Sequence, residues 1–397
     1  MIIRTEYIDW LHRFRDKRVI KIITGIRRCG KSTLIEQYQA DLLERGVSID
    51  RILAINLEDF SMSHLFDPEK LYRYVIERLS PDGVTYVFLD EIQNVADFPR
   101  VIDGLFIQKN IDLYVTGSNA FLLSSEIATL LSGRYVEIRM LPLSFREFAT
   151  FHHMLANPDL AYQWYLTEGA FPYVTAFDHD MKAVREYLRG IYSTVLLKDV
   201  MTRTRISDGL TLESVVRFLF DNIGNITSAR RIGDLLSESG RKTDAKTVDK
   251  YLTALTESFV VHRAMRYDIK GKQHLKSLEK YYVADLGLRS TMLGRSGADV
   301  GRSLENVVYL ELLRRGFEVF VGKLGDAEVD FVARDGDRLT YFQVAATVRD
   351  AETLARELRP LQTTGDAYPK YLLTLDRDPA ANINGIIVEN AVDWLLG

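Results

Sequence analysis

Cysteine is almost missing from this 397-residue chain, with Cys29 the only one. It has no partner, so neither an intrachain disulfide nor a cysteine metal cluster can form, and such usage fits a reducing cytosol. No stretch is long and apolar enough to cross a bilayer. The start, Met1–Trp10, carries Arg4, Glu6 and Asp9 where a secretory leader needs an apolar core. The expectation is a cytoplasmic protein, neither exported nor embedded. Internal repeats and low-complexity tracts are lacking too. Nor does one charge dominate: 51 Lys and Arg against 55 Asp and Glu leave −4, which argues against a uniformly basic nucleic-acid binder.

What is present is 47% hydrophobic and 27% charged residues, a composition that buries real cores. The length predicts roughly two to four domains. Residues 19–140 alternate short β-type apolar runs with helical patterns, the rhythm of an open parallel α/β sheet. Five strands are placed at Val19–Thr24, Ile52–Leu57, Val84–Leu89, Leu113–Thr116 and Val136–Arg139. From about 145 to 225 the pattern turns helical. A shorter unit then reads helix, turn, helix and two strands around a polar turn at Lys270-Gly271-Lys272, the order of a winged helix. A last α/β segment follows the glycine-rich stretch 294–301.

Gly25-Ile26-Arg27-Arg28-Cys29-Gly30-Lys31-Ser32, followed by Thr33, joins the first strand to a helical pattern and matches the phosphate-binding loop G-x-x-x-x-G-K-[ST]. Its glycines let backbone N–H groups wrap a phosphate, Lys31 reaches the β and γ phosphates of ATP, and Ser32 offers a hydroxyl to Mg²⁺. Cys29 reads as loop filler, and its alkylation or oxidation is expected to inhibit ATP binding. At the end of the third strand, Asp90 is a candidate for the Mg²⁺ shell and Glu91 for the base that activates water. After the fourth strand, Asn119 or Ser118 is a candidate contact to the γ-phosphate or the water, and an ordinary turn is the alternative. Arg134 reads either as an arginine finger, which acting from a neighbouring subunit would require a homo-oligomer, or as half of a structural salt bridge.

With Phe88-Leu89-Asp90-Glu91-Ile92-Gln93, Thr116-Gly117-Ser118, Ser132-Gly133-Arg134, Leu141-Pro142-Leu143-Ser144-Phe145-Arg146-Glu147-Phe148, Leu304-Glu305-Asn306 and Glu328-Val329-Asp330-Phe331-Val332 also in place, the chain resembles a prokaryotic family of AAA-type P-loop ATPases. Members carry a C-terminal domain of unknown function. The resemblance implies an additional strand between the loop strand and the Asp90 strand, a helical lid, a winged helix and a tail similar to a restriction-endonuclease fold. The expected domains are 1–145 (ATPase core), 146–225 (lid), 226–295 (winged helix) and 296–397 (nuclease-like tail).

The near-neutral total hides an asymmetry. Residues 228–295 hold 14 Lys and Arg against 8 Asp and Glu, a local +6 that leaves −10 elsewhere. In the second helix of this stretch Val248, Tyr251, Leu252 and Leu255 mark the buried face, which turns Lys246 and Lys250 outward. Together with Arg230, Arg231, Arg241, Lys242, Lys270, Lys272 and Lys276 they are candidate DNA phosphate contacts, with a protein partner as the alternative.

The tail is similar to the nuclease pattern of a helix Glu, a strand Asp and a following Glu-x-Lys. Glu305 and Asp330 fit, but the third element falls on Gln343-Val344-Ala345, which lacks the carboxylate and the lysine. Glu328 is the available substitute ligand. The reading is therefore a Mg²⁺-dependent ATPase that oligomerises and engages DNA. A nucleotide-gated protein scaffold is the first alternative and a competent metal nuclease the second.

Overall fold

In the computed structural model, strand β1 (Ile20–Gly25) is buried at every position, as a strand with neighbours on both edges must be, and its Lys21 is buried in an ion pair with Asp112. Burying Ile20, Ile22 and Ile23 there contributes on the order of 2 kcal/mol per side chain. The structure describes residues 2–118, 131, 133–201, 208–238, 240, 243–294 and 299–397. The chain divides into two units, Met1–Pro142 with Glu257–Phe259, and Leu143–Thr256 with Val260–Gly397.

The first unit is built on a parallel five-stranded sheet. Its other strands are β2 (Ile52–Asn56), β3 (Thr85–Asp90), β4 (Ile111–Gly117) and β5 (Tyr135–Met140), in the order β2-β3-β4-β1-β5. All five strands lie where the sequence places them, within two residues at each end. Strand β4 pairs with β1 through Ile22 and Val115 and with β3 through Val87 and Leu113. It is the strand expected between the loop strand and the Asp90 strand. Helix α1 (Thr5–Phe14) precedes the sheet, while α2 (Lys31–Glu44), α3 (Pro68–Ile76) and α4 (Phe98–Ile107) lie in its crossovers. Helix α3 starts where Asp67 accepts a hydrogen bond from Lys70 N at 2.9 Å and Pro68 fixes the first turn. One core packs Leu71, Val75, Val101 and Leu105 against Ile22, Val87, Leu89 and Val115.

The second unit opens at Leu143, within the Leu141-Pro142-Leu143-Ser144 break. Ser144 and Glu147 form a reciprocal capping box that starts α5 (Phe145–Phe151), whose Phe145 and Phe148 pack on Tyr165. Helices α6 (Pro158–Glu168), α7 (Met181–Tyr192) and α8 (Gly209–Asp221) continue the helical stretch. Next come α9 (Ala229–Glu238), α10 (Ala245–Glu257) and the antiparallel hairpin of β6 (Val261–Asp268) and β7 (Gln273–Val283), in the expected order. Helix α11 (Leu286–Leu293) then leads to α12 (Val300–Arg314) and the strands β8 (Glu318–Leu324), β9 (Ala327–Asp335) and β10 (Arg338–Ala345). Helix α13 (Ala351–Gln362) crosses over to β11 (Lys370–Thr374), parallel to β10, and β12 (Ala381–Ile383), β13 (Ile386–Asn390) and α14 (Ala391–Leu396) close the chain.

The expected separation between residues 226–295 and 296–397 does not exist in the hydrogen bonding. Strand β6 pairs parallel with β8 through Arg266–Val321, Tyr267–Gly322 and Asp268–Lys323, so the hairpin forms one end of an eight-stranded sheet, β12-β13-β11-β10-β9-β8-β6-β7. Gly322, which pairs with Tyr267 here, also faces β9 on its other edge, where a Cβ would stand 2.9 Å from Val329 Cβ.

Candidate functional site

The phosphate loop begins at the carboxyl end of β1. A Cβ on Gly25 would come 2.2 Å from the carbonyl oxygen of Met140, so the chain can turn there only without a side chain. Gly30 takes φ +100° and caps α2, which places Lys31, Ser32 and Thr33 in the helix's first turn, where backbone N–H groups lack intrahelical acceptors. Inside the loop Ile26 and Cys29 are buried, Arg28 takes the left-handed region at φ +70°, and Arg27 pairs with Glu58. From the amino terminus, the buried Arg4 guanidinium donates to Cys29 O at 3.3 Å and Leu141 O at 3.0 Å, bracing the loop against the end of β5.

Cys29 sits in the loop as filler. Its thiol is fully buried, and that burial pushes its pKa up, so the nucleophilic thiolate is both scarce and inaccessible. The buried thiol offers no ready target for alkylation.

Lys31, Asp90 and Glu91 come together, all buried. Lys31 Nζ donates to Gly25 O at 3.2 Å and stands 3.5 Å from Glu91 Oε1. Burial alone would push the Glu91 carboxyl up, but the Lys31 ammonium and the Gln93 amide outweigh it and hold the pKa below the ordinary value. Glu91 adopts φ +53°, a conformation that costs a non-glycine residue about 1 kcal/mol. Its backbone N–H donates to Thr116 Oγ1 at 2.9 Å, and the Thr116 hydroxyl in turn donates to Asp90 Oδ1. Gln93 Nε2 donates to Glu91 Oε2 and reaches Ser118 Oγ at 3.4 Å. The roles of Thr116 and Gln93 were missed in the sequence. Their signals were a threonine closing the central strand β4 and an amide two residues beyond Glu91.

The chemistry of this donor set fits Mg·ATP: a buried ammonium, a helix start and a loop only glycine can form are groups that could take phosphates, and Ser32 and Asp90 are the residues that could hold the ion. Asn119 lies outside the described residues. Arg134 stands at the opposite end of the sheet, where its carbonyl accepts from Ile20 N and its guanidinium pairs with Asp103 at 2.6 Å. At about 3.3 Å per strand residue, the length of β1 puts the loop of the same chain beyond the reach of that side chain.

In the second unit, Val248, Tyr251, Leu252 and Leu255 are buried as expected, while Arg230, Arg231, Lys246, Lys250, Lys270 and Lys272 are exposed. Arg241, Lys242 and the side chain of Lys276 lie outside the described residues. Two of the basic residues counted toward the local +6 do not face solvent: Arg289 is buried on Asp299, and Lys280 is buried among acids. Lys280 Nζ stands 2.9 Å from Glu305 Oε1, 2.8 Å from Glu328 Oε1 and 3.8 Å from Asp330 Oδ1. Glu328 is thus committed to an ammonium and is not a spare metal ligand. Gln343 is committed too, accepting from Asp330 N at 3.3 Å and donating to Glu357 Oε2 at 3.0 Å.

Comparison with known proteins agrees with this geometry. Residues 17–149 match the model of an AAA domain family, and residues 160–299 match a domain of unknown function, DUF8612. An uncharacterized protein of Haemophilus influenzae is 39% identical over 100% of this chain and 99% of its own length. An uncharacterized protein of Methanocaldococcus jannaschii is 31% identical over 92% of this chain and 80% of its own length. The chain belongs to one family with these two proteins. Its first unit is a P-loop AAA-type ATPase domain. A Walker-type ATPase of Pyrococcus abyssi shares the fold, with a TM-score of 0.50 and 16% identity over 73% of this chain and 95% of that one. No helix among the described residues is long and apolar enough to cross a membrane.

Proposed function

We propose that this protein is a Mg²⁺-dependent ATP hydrolase that works as a homo-oligomer and couples its nucleotide cycle to DNA. The observation that carries the hydrolase reading is the buried set of Lys31, Glu91, Asp90 and Thr116. Mg²⁺, held by Ser32 and Asp90, would supply charge neutralisation on the phosphates. Lys31 binds the β and γ phosphates. In doing so it leaves Glu91 Oε1, while Gln93 keeps Oε2 in place. Glu91 takes a proton from the attacking water as the water oxygen bonds to the γ-phosphorus and the bond to the ADP oxygen breaks.

Arg134 supports the oligomer. It cannot reach its own loop, so a finger role requires the loop of a neighbouring subunit. The exposed basic residues of α9 and α10 and of the β6–β7 turn, in the helix, helix, hairpin order of a winged helix, support DNA phosphate as their partner. The test is ATPase rate against single-stranded, double-stranded and branched DNA at two salt concentrations, with molecular size measured with and without nucleotide. Stimulation by DNA that weakens with salt is expected, and a rate indifferent to every DNA with no salt-sensitive binding would overturn the DNA half.

A further inference from the structure

The tail brings three carboxylates to one point, and a lysine ammonium already stands there. Glu305 comes from α12, Glu328 and Asp330 from alternate positions of β9, and Lys280 from β7 on the hairpin. Lys280 is 4% exposed, its Nζ within charge-assisted hydrogen-bond distance of two of the acids. Tyr282, two residues along the same face of β7, donates its hydroxyl to Glu305 Oε1 at 2.6 Å. Val344 N donates to Asp330 Oδ2 at 2.9 Å. Each acid therefore already has a partner within the fold.

A hard divalent ion binds carboxylate oxygens at about 2.0–2.6 Å and requires several of them at once. In this arrangement Lys280 Nζ occupies the point where those oxygens converge, and the ion and the ammonium would repel each other. Among the described residues no group of three or more His, Cys, Asp or Glu side chains is arranged to hold a metal. The residues of the tail thus do not fit the Mg²⁺ that a nuclease-like fold implies. We infer that Lys280 is the resident cation of this centre, standing in for a divalent metal, and that it closes the tail as a metal-free junction binding the hairpin to α12 and β9. Removing a single partner from such a buried group leaves uncompensated charge, so the lysine and its acids depend on one another for their burial. The inference is independent of the ATPase reading.

The experiment is titration of nucleotide-free full-length protein with Mn²⁺, with free ion counted by electron paramagnetic resonance. Wild type and Asp330→Asn are expected to give the same result, with no Mn²⁺ held in the tail. Lys280→Gln is expected to gain one Mn²⁺ per chain, and the double variant Lys280→Gln/Asp330→Asn to lose it. A Mn²⁺ held by wild type and lost in Asp330→Asn would overturn the inference, as would a folded Lys280→Gln that gains none. If Lys280→Gln proves insoluble, the comparison of wild type with Asp330→Asn decides alone.

Discussion

The ammonium of Lys31 stands 3.5 Å from Glu91 Oε1, both side chains buried, so the residue proposed to bind phosphate and the residue proposed to activate water form an ion pair. A phosphate arriving at the loop competes for the ammonium with a carboxylate and with Gly25 O. On the proposed mechanism, nucleotide binding and the release of the base would be one event. Lys31→Ala is expected to reduce turnover by more than about a hundredfold and to weaken ATP binding. Glu91→Gln should keep binding and lose turnover by roughly 10²–10⁴-fold. Calorimetric ATP binding and single-turnover rates check both, and an unchanged rate in Glu91→Gln removes that residue from the base role.

Gln93 donates to Oε2 of Glu91 while Oε1 faces Lys31, which on the proposed mechanism makes it a positioning residue. Deleting a hydrogen bond to a charged group costs about 1.5–3 kcal/mol when the bond matters fully in the transition state. Gln93→Ala should then lower kcat by roughly tenfold or more and leave ATP affinity within about twofold. The amide helps hold the Glu91 pKa low, so the acid limb of the kcat profile should also move to higher pH. A fall in both affinity and stability with no movement of that limb would point to a purely structural role.

Arg134 offers a test of assembly, because within its own chain it pairs with Asp103 far from the loop. Mixing Arg134→Ala subunits with an excess of Glu91→Gln subunits should restore measurable turnover, since each variant keeps the half the other lacks. Absence of rescue, together with a loss of thermal stability equal to that of Asp103→Ala, would leave the salt bridge as the whole role.

His152 makes stability depend on pH. Burial, and then the neighbouring His179, lower its pKa from 6.5 to about 4, and its Nε2 is buried without a hydrogen-bond partner. The unfolded chain therefore binds more protons than the folded one between pH 4 and 6.5, and this group's contribution is present above 6.5 and lost as pH falls through about 4. His152→Phe keeps the ring that packs on Phe148 and removes the titration. The difference in Tm between wild type and His152→Phe should move in favour of wild type as pH rises from 4 to 6.5 and stay level above. A flat difference across that window would contradict the lowered pKa.

Lys246 and Lys250 lie on the outward side of α10, opposite Val248 and Leu252. If they contact DNA phosphates, the double change to Glu should weaken binding at every sequence and make the slope of log K against log salt shallower by about two. ATPase activity without DNA should be unchanged. Equal salt slopes for the two proteins would remove these lysines from the interface.

The first unit was legible in the sequence because both of its signals are local. Buried parallel strands read as mostly apolar runs, broken here by the Lys21–Asp112 pair, and the loop motif stands between a strand and a helix. The contacts around Glu91 were only half legible. Thr116 and Gln93 reach it through side-chain hydrogen bonds that no periodicity encodes, and the αL turn at Glu91 leaves no mark in a non-glycine residue. The tail was misread at one point for the same reason. Ala345 stands where the lysine was sought, while the cation that faces Glu305 and Asp330 comes from Lys280, fifty residues before Asp330 and on a strand assigned to another domain.

The parallel pairing of β6 with β8 also bears on how this chain can be cut. A fragment ending near residue 295 would keep the helices and hairpin but bare the hydrogen-bonding edge of β6 at Arg266, Tyr267 and Asp268, and the isolated tail would bare β8 in the same way. Unpaired edges of this kind recruit other strands, so both fragments would tend to aggregate. The hairpin and the tail share one sheet and are therefore expected to fold together, even though the sequence between them looks like a linker.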